Sequence, residues 1–263
     1  MKHSTKFKQR YEKLGFYGAL KLTWAKATVG RKRKIILGLK DPEKRFTKIY
    51  LENYWNDSES RSGEGSTLEN TQNVRNELPK VLKKYNIKSM LDAPCGDFNW
   101  MKLITQGISI KYIGGDIVKP MIEKNQAKHG DNSISFAHLD ITKDLLPEVD
   151  LMFCRDCLFH LSYQDIAFVL ENFLNSKIPY LITTSHAAPN GPRIENSNII
   201  TGDMRLLDLF SKPFSLTSDC VLENISDHMV SLSAKRSLIL INRAAVQKMF
   251  ENLKVLQSPN PRN

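Results

Sequence analysis

From residue 88 onward, short apolar runs alternate with stretches of helical period. Strand-like runs fall at Ser89–Leu91, Tyr112–Gly115, Ile134–Leu139, Asp150–Cys154 and Tyr180–Thr184. Between them Phe98–Gln106, Pro120–Lys128 and Tyr163–Leu174 read as helices, the last opened by Ser162 and Asp165 as an N-terminal cap. Strands this short and this continuously apolar, each followed by a helix, predict a parallel sheet covered on both faces. After residue 186 the alternation loosens. Val221–Ile225 and Ser237–Asn242 suit a closing antiparallel pair, and Arg243–Lys254 suits a final helix. The expectation is a Rossmann-like, doubly wound α/β domain over residues 88–263, with a mostly parallel seven-stranded sheet.

Two other segments precede it. Residues 51–87 read as a loop followed by a helix. Ser58–Ser66 is rich in Ser, Gly and Glu, and Ser66 with Glu69 forms a capping box that would start the helix. Leu78, Val81, Leu82 and Tyr85 supply its apolar face, and Pro79 should bend it or open a second helix. Residues 1–50 mix bases with aromatics, and Phe7, Tyr11 and Leu14, then Leu20 and Trp24, keep helical spacing. This basic helical extension has three readings: a stripe packed on the main domain, which is favoured, contact with an anionic membrane face, or contact with nucleic acid.

Charge sharpens that division. The chain has 263 residues and a net charge of +10. Residues 1–50 hold 15 Lys/Arg against 3 Asp/Glu, a surplus of 12, so the remainder carries −2. The sheet-forming part is almost neutral, and nucleic acid is the less expected partner. No apolar run approaches the ~20 residues of a membrane-spanning helix. The basic first residues lack the apolar stretch of a signal peptide. A cytoplasmic location is expected, with membrane-peripheral contact through residues 1–50 as the alternative. The four cysteines, Cys95, Cys154, Cys157 and Cys220, are too few for a disulfide framework. Cys154 and Cys157 lack a second ligand pair for zinc and read as reduced structural thiols, so no metal is expected.

In open α/β sheets ligands sit beyond the carboxyl ends of the strands. Here an acid follows each of the first four: Asp92 with the turn "APCGD", Asp116 in "GGDI", Asp140 in "HLDI", and Asp156 in "CRDCLFH". A carboxylate at the second strand end suits a ribose diol, because it accepts two hydrogen bonds. Asp116 lies 24 residues after Asp92, close to the separation of about 20 between turn and ribose acid in dinucleotide folds. A pyrophosphate, however, wants three glycines in the first turn. Only Gly96 is present, with Pro94 and Phe98 nearby. The pattern permits a nucleoside cofactor without phosphate and argues against a dinucleotide.

The motifs "SRSGEGS", "LDAPCGDFNWM", "YIGGDI" and "CRDCLFHLS" together resemble the class I S-adenosylmethionine-dependent methyltransferases, in particular a bacterial-type group within that superfamily. The resemblance covers about residues 88–186. It implies S-adenosyl-L-methionine as cofactor, held by the first turn (Asp92, Ala93, Pro94, Cys95, Gly96 and Asp97), by Asp116 and Ile117 at the ribose, and by Asp140 and Ile141 near the adenine. Pro94 and Phe98 stand where the family has glycines. It also places substrate residues after the fourth strand. Asp156 and His160, four apart, share one face of a turn and are the candidate base pair, with His186 after the fifth strand as a second base. Arg155 either grips an anionic substrate or neutralises Asp156. The segment ahead of the first strand often lids the cofactor, so Trp55, Arg61, Ser62 and Gly63 are candidates there. Ser66 is equally a helix cap.

The N-P-P-Y and D-P-P-Y motifs of amino-methylating enzymes are absent after the fourth strand. O-methylation of a small molecule or a glycan, including a phosphorylated or surface-polysaccharide sugar, is therefore the leading expectation. The alternatives are an RNA or protein methyltransferase using residues 1–50 as a basic arm, and a non-catalytic cofactor-binding scaffold.

Overall fold

A computed structural model describes residues 30–227 and 236–257. The helical spacing at Phe7–Trp24 lies outside the described residues. The described part of the leading segment is helical: α1 occupies residues 30–38, and α2 (Pro42–Leu51) follows, capped by Asp41, whose carboxylate accepts from the Glu43 amide.

Seven strands form one sheet: β1 (Ser89–Asp92), β2 (Lys111–Asp116), β3 (Ile134–His138), β4 (Leu151–Cys154), β5 (Tyr180–Ser185), β6 (Val221–Ser226) and β7 (Ser237–Asn242). Their order is β3-β2-β1-β4-β5-β7-β6. The first five run parallel, and β7 is antiparallel to both β5 and β6. The sheet is thus mixed, with the antiparallel pair the sequence suggested. Strand order reverses between β1 and β4, so the ends of those two strands open the crevice.

Successive strand residues face opposite sides, and each side has its own core. Met90, Leu151, Phe153, Ile182 and Leu240 join α3 (Gln72–Lys84) and α4 (Met101–Thr105) on one face. Leu91, Met152, Leu181, Ile239 and Ile241 join α6 (Tyr163–Asn175) and α7 (Arg243–Gln257) on the other. The remaining helix, α5 (Lys119–His129), links β2 to β3. Ser162 caps α6 by accepting from the Asp165 amide, as its sequence predicted.

Three local expectations are corrected. Helix α3 begins at Gln72 behind Thr71, not at Ser66. Residues 64–71 instead fold on themselves: Thr67 donates its hydroxyl to the Glu64 carbonyl at 3.0 Å and Thr71 to the Thr67 carbonyl at 2.7 Å. Pro79 opens no second helix; α3 runs through it, because Leu78, Val81 and Leu82 are anchored in the core on either side. Helix α4 starts at Met101 rather than at Phe98. Phe98 has a φ of 58°, and its buried ring packs 5.1 Å from Tyr112 and 5.0 Å from Phe136. Burying that ring outweighs an extra helical turn.

No helix among the described residues is long and apolar enough to cross a membrane.

Gly114 in β2 lies under this aromatic group. A Cβ there would sit 2.6 Å from Phe136 Cδ1 and 3.1 Å from Cys95 Sγ. Gly114→Ala is expected to cost about 1–3 kcal/mol through overpacking, read as a lower denaturant midpoint with unchanged slope.

Candidate active site

A cleft of about 1170 Å³, counting its solvent-open part, lies over the carboxyl ends of β1, β2, β3 and β4. Its floor includes Asp92, Pro94, Cys95, Gly96, Asp116, Ile117, Asp140 and Ile141. Arg155, Asp156 and His160 line it beyond β4, and Tyr50, Trp55, Arg61 and Ser62 line it from the leading segment. The structure therefore brings most of the predicted residues to one cavity. Ala93 is fully buried beneath the turn, and Gly63 backs the indole of Trp55, where a Cβ would meet the side chain at 3.3 Å.

The turn after β1 has its amides already committed. Ala93 N–H donates to the Phe153 carbonyl and Cys95 N–H to the Gly115 carbonyl, both at 2.9 Å. Pro94 has no N–H. Gly96 N–H donates to Asp116 Oδ2 at 3.1 Å, and Asp97 N–H to Ser62 Oγ at 2.9 Å. The helix that follows is only five residues long and starts at Met101. A pyrophosphate needs free amides at a helix N-terminus next to the turn. This turn offers neither.

Gly96 has a φ of 57°, and a Cβ there would overlap Ser62 Oγ, so the left-handed turn and the close loop both require glycine. The loop is stapled down in part by residues that sequence reasoning did not single out, Glu59, Ser60 and Asn99. Ser60 Oγ donates to the Asp97 carboxylate at 3.0 Å, and Arg61 N–H donates to the same group at 2.8 Å. Asn99 Nδ2 donates to Glu59 Oε1 at 2.7 Å. Asp97 thus ties the loop to the floor.

Asp92 is buried and accepts from the Tyr112 hydroxyl at 2.6 Å. Burial pushes its carboxyl up to about 7. Asp116 is also buried, and burial raises it to about 6 against the opposing amides of Val118, Gly96 and Ile117. Asp140 is more open. Its carboxylate accepts from the Thr142 amide and hydroxyl at 3.0 and 2.6 Å and pairs with Lys143 at 3.1 Å. Half-burial works to raise it, but these bonds hold it below the usual carboxylate range.

Beyond β4, four charged side chains form a quartet in which Arg155, Arg236 and Asp227 are buried and Asp156 reaches the cleft. Arg155 makes a two-pronged pair with Asp227 at 2.9 and 3.0 Å, meets Asp156 at 3.2 Å, and lies over the Trp100 ring at 5.4 Å. Arg236 donates to Asp156 at 3.1 Å and to the Asp227 carbonyl at 2.8 Å, and its Nη2 lies 3.1 Å from the Asp227 carboxylate as an ion pair without a hydrogen bond. Asp227 and Arg236 come from the facing ends of β6 and β7, and nothing in the sequence pattern pointed to them. Arg155 thus has its charge matched inside the protein. Asp156 has a φ of 54°, and its amide donates to Thr184 Oγ1 at 3.0 Å. Burial works against its charge, but Arg155 and Arg236 keep it ionised below the usual range. A carboxylate so stabilised is a poor proton acceptor.

The structure gives His160 a partner other than Asp156. Its Nδ1 lies 2.8 Å from the Asp203 carbonyl, which only accepts, so Nδ1 carries the proton and Nε2 the lone pair. Burial lowers its pKa and favours the neutral ring. Trp55 packs 5.7 Å away. His186 sits apart from this cleft: its Nδ1 accepts from the Leu207 amide at 3.2 Å, its ring abuts Phe159, and burial drops it to about 4. Cys154 and Cys157 are free, buried thiols.

The long connection between β5 and β6 returns over this turn. Gly202 N–H donates to the His160 carbonyl at 2.8 Å and Arg205 N–H to the Phe159 carbonyl at 3.2 Å. The leading helices hold the same connection: Arg33 pairs with Asp203, and Arg45 Nη1 donates to the Thr201 carbonyl at 2.7 Å.

No family model matches the chain, and no curated protein matches it. Solved structures do. A S-adenosylmethionine-dependent methyltransferase from Leishmania major is 16% identical and aligns over 76% of this chain and 85% of its own, with a TM-score of 0.54. The fold is that of the class I methyltransferases. The N-methyltransferase NodS from Bradyrhizobium japonicum is 14% identical over 66% of this chain and 96% of its own, with a TM-score of 0.48. Human N-acetylserotonin methyltransferase in complex with S-adenosylmethionine is 16% identical over 75% of this chain and 58% of its own, with a TM-score of 0.46. At these identities the likeness is one of fold.

The raised carboxyl of Asp92 has a consequence for stability. A carboxyl raised in the folded state stabilises fully below its unfolded pKa of about 3.9, and that contribution is lost as pH rises through about 7. The melting temperature should fall between pH 5 and pH 8 on this account. In Asp92→Asn that fall should shrink by several degrees, measured by thermal unfolding at both pH values, with Asp116 supplying the remainder.

Proposed function

We propose that the chain is an S-adenosylmethionine-dependent methyltransferase whose acceptor is a hydroxyl on a small molecule or glycan. The observation that carries the reading is Asp116. It is a buried carboxylate at the β2 end, next to the strand-order reversal, above a turn whose amides are spent and which therefore suits a nucleoside without phosphate. Asp116 would take the ribose hydroxyls, Asp140 and Ile141 would flank the base, and residues 92–97 would support the amino-acid end. Trp55, Arg61 and Ser62 would close over it.

Bound there, the cofactor supplies a methyl group made electrophilic by its sulfonium charge. The protein's part is then alignment and removal of one proton. His160 suits the proton transfer, because Nδ1–H is anchored on the Asp203 carbonyl and Nε2 is left as the nitrogen that takes the acceptor's proton. Asp156, fixed as an anion by Arg155 and Arg236, would stabilise the imidazolium formed. His186, whose Nδ1 is bonded within the protein, is the less suited base.

Equilibrium binding of labelled S-adenosylmethionine tests this. Two hydrogen bonds to a charged carboxylate contribute about 1.5–3 kcal/mol each, so Asp116→Ala should weaken binding about 100-fold or more. In the wild type, affinity should hold above the Asp116 pKa of about 6 and fall about tenfold per pH unit below it, because the protonated acid loses an acceptor site. Asp116→Asn should bind weakly without that pH dependence. A folded wild-type sample that binds no S-adenosylmethionine would overturn the reading.

A further inference from the structure

Three arginines are at least nine-tenths buried around the cleft, and one of them lacks a counter-charge. Arg155 and Arg236 share Asp156 and Asp227. Arg205, on the connection between β5 and β6, is 7% exposed and pairs with no carboxylate among the described residues. Its Nη1 donates to the Leu161 carbonyl at 2.6 Å, and its guanidinium lies over the Tyr163 ring at 5.2 Å. Its Nε and Nη2 are buried with no hydrogen-bond partner. Burial lowers it to about 10, against the weaker influence of Tyr163. Sequestering a guanidinium with two donors unmet is costly, and proteins avoid it unless something completes the site.

Its surroundings indicate what would do so. Leu161 and Tyr163 bracket Ser162, the cap of the 13-residue helix α6, so the guanidinium stands at that helix's positive end. Two first-turn amides there are already taken, by Ser162 Oγ and Asn198 Oδ1. The Asp165 carboxylate, also in that turn, is occupied by the hydroxyls of Ser162 and Thr201. The bonds of Arg205 to the carbonyls of Phe159 and Leu161 flank His160, and His160, Leu161, Asp165 and Thr201 all line the cleft.

We propose that Arg205 receives an oxyanion (carboxylate, sulfate or phosphate) carried by the acceptor, and so places that acceptor beside His160. Part of this rests on the methyltransferase reading, but the anion site itself does not. Arg205 itself does not line the cleft and both unmet nitrogens are shut from solvent, so access for the oxyanion requires residues 201–206 to lift from the turn. Arg155, matched by its own aspartates, has no comparable vacancy in its bonding.

Thermal unfolding of the full chain in inorganic phosphate, sulfate or acetate, each against chloride at equal ionic strength, tests the proposal. The wild type should gain several degrees saturably in at least one oxyanion, and which one identifies the chemistry of the acceptor's charged group. Arg31→Met, on the exposed face of α1, should respond like the wild type and controls for the loss of one charge. Arg205→Met should lose the saturable gain while melting at or above the wild type in chloride, because an unpaired buried charge has gone. Arg205→Lys, which keeps charge without the planar fork, should need about tenfold more anion. A saturable gain that persists in Arg205→Met, or a wild type without one, would overturn the site. S-adenosylmethionine binding is measured separately. If it fails while the Arg205-dependent gain persists, the methyltransferase reading falls and the anion site stands.

Discussion

The site depends on how the amides of residues 93–97 are satisfied. Each N–H in that turn bonds a strand carbonyl, the Asp116 carboxylate or the Ser62 hydroxyl. The turn is therefore rigid, carries little unused positive potential, and is joined directly to the neighbouring strand end and to the loop above. A dinucleotide fold leaves such amides open for phosphate. Here they are consumed in building a floor, and the groups left facing the cleft at the strand ends are carboxylates. Burial raises two of these, Asp92 to about 7 and Asp116 to about 6, so near neutral pH Asp116 is ionised while Asp92 is part protonated.

A second electrostatic arrangement lies on the other side of the crevice. The quartet of Arg155, Asp156, Asp227 and Arg236 pairs two cations with two anions, three of them buried, which settles the charge of Asp156 and removes Arg155 from service as a free cation. It also fixes the ends of β6 and β7 against the β4 turn. Removing one member would leave an uncompensated buried charge, a far larger penalty than losing a surface ion pair. His160 is governed differently, by a main-chain carbonyl and by burial, and its bare nitrogen follows from that geometry rather than from a neighbouring acid.

Much of the sheet was legible in the sequence because its signals are local. Short apolar runs with acids at their ends place β1 to β5, and the same acids mark the cleft. What was hidden arises from contacts between distant residues. Asp227 and Arg236 lie 72 and 80 residues from the partners they hold, and strand periodicity carries no trace of that pairing. Ser60 and Glu59 grip Asp97 and Asn99 from far along the chain, although Asp57, which accepts the amides of Glu59 and Ser60, is a local turn signal that would have marked an ordered loop. Phe98 sits inside a good helical stretch yet leaves it, because an aromatic cluster gathered from β2 and β3 outweighs one turn of helix. Ser66 carries a capping signature, yet residues 64–71 fold on themselves and the helix starts only at Gln72.

Finally, the cover of the cleft is drawn from two places far apart in the chain. Arg33 and Arg45, on α1 and α2, reach across to Asp203 and Thr201 in the connection after β5, and that connection in turn holds the His160 turn. A sequence-based boundary at residue 50 cuts through α2 itself. The described part of the leading segment is consequently packed on the same connection that holds the His160 turn. The arginines of the first two helices thus join residues far apart in the chain into one wall of the cleft.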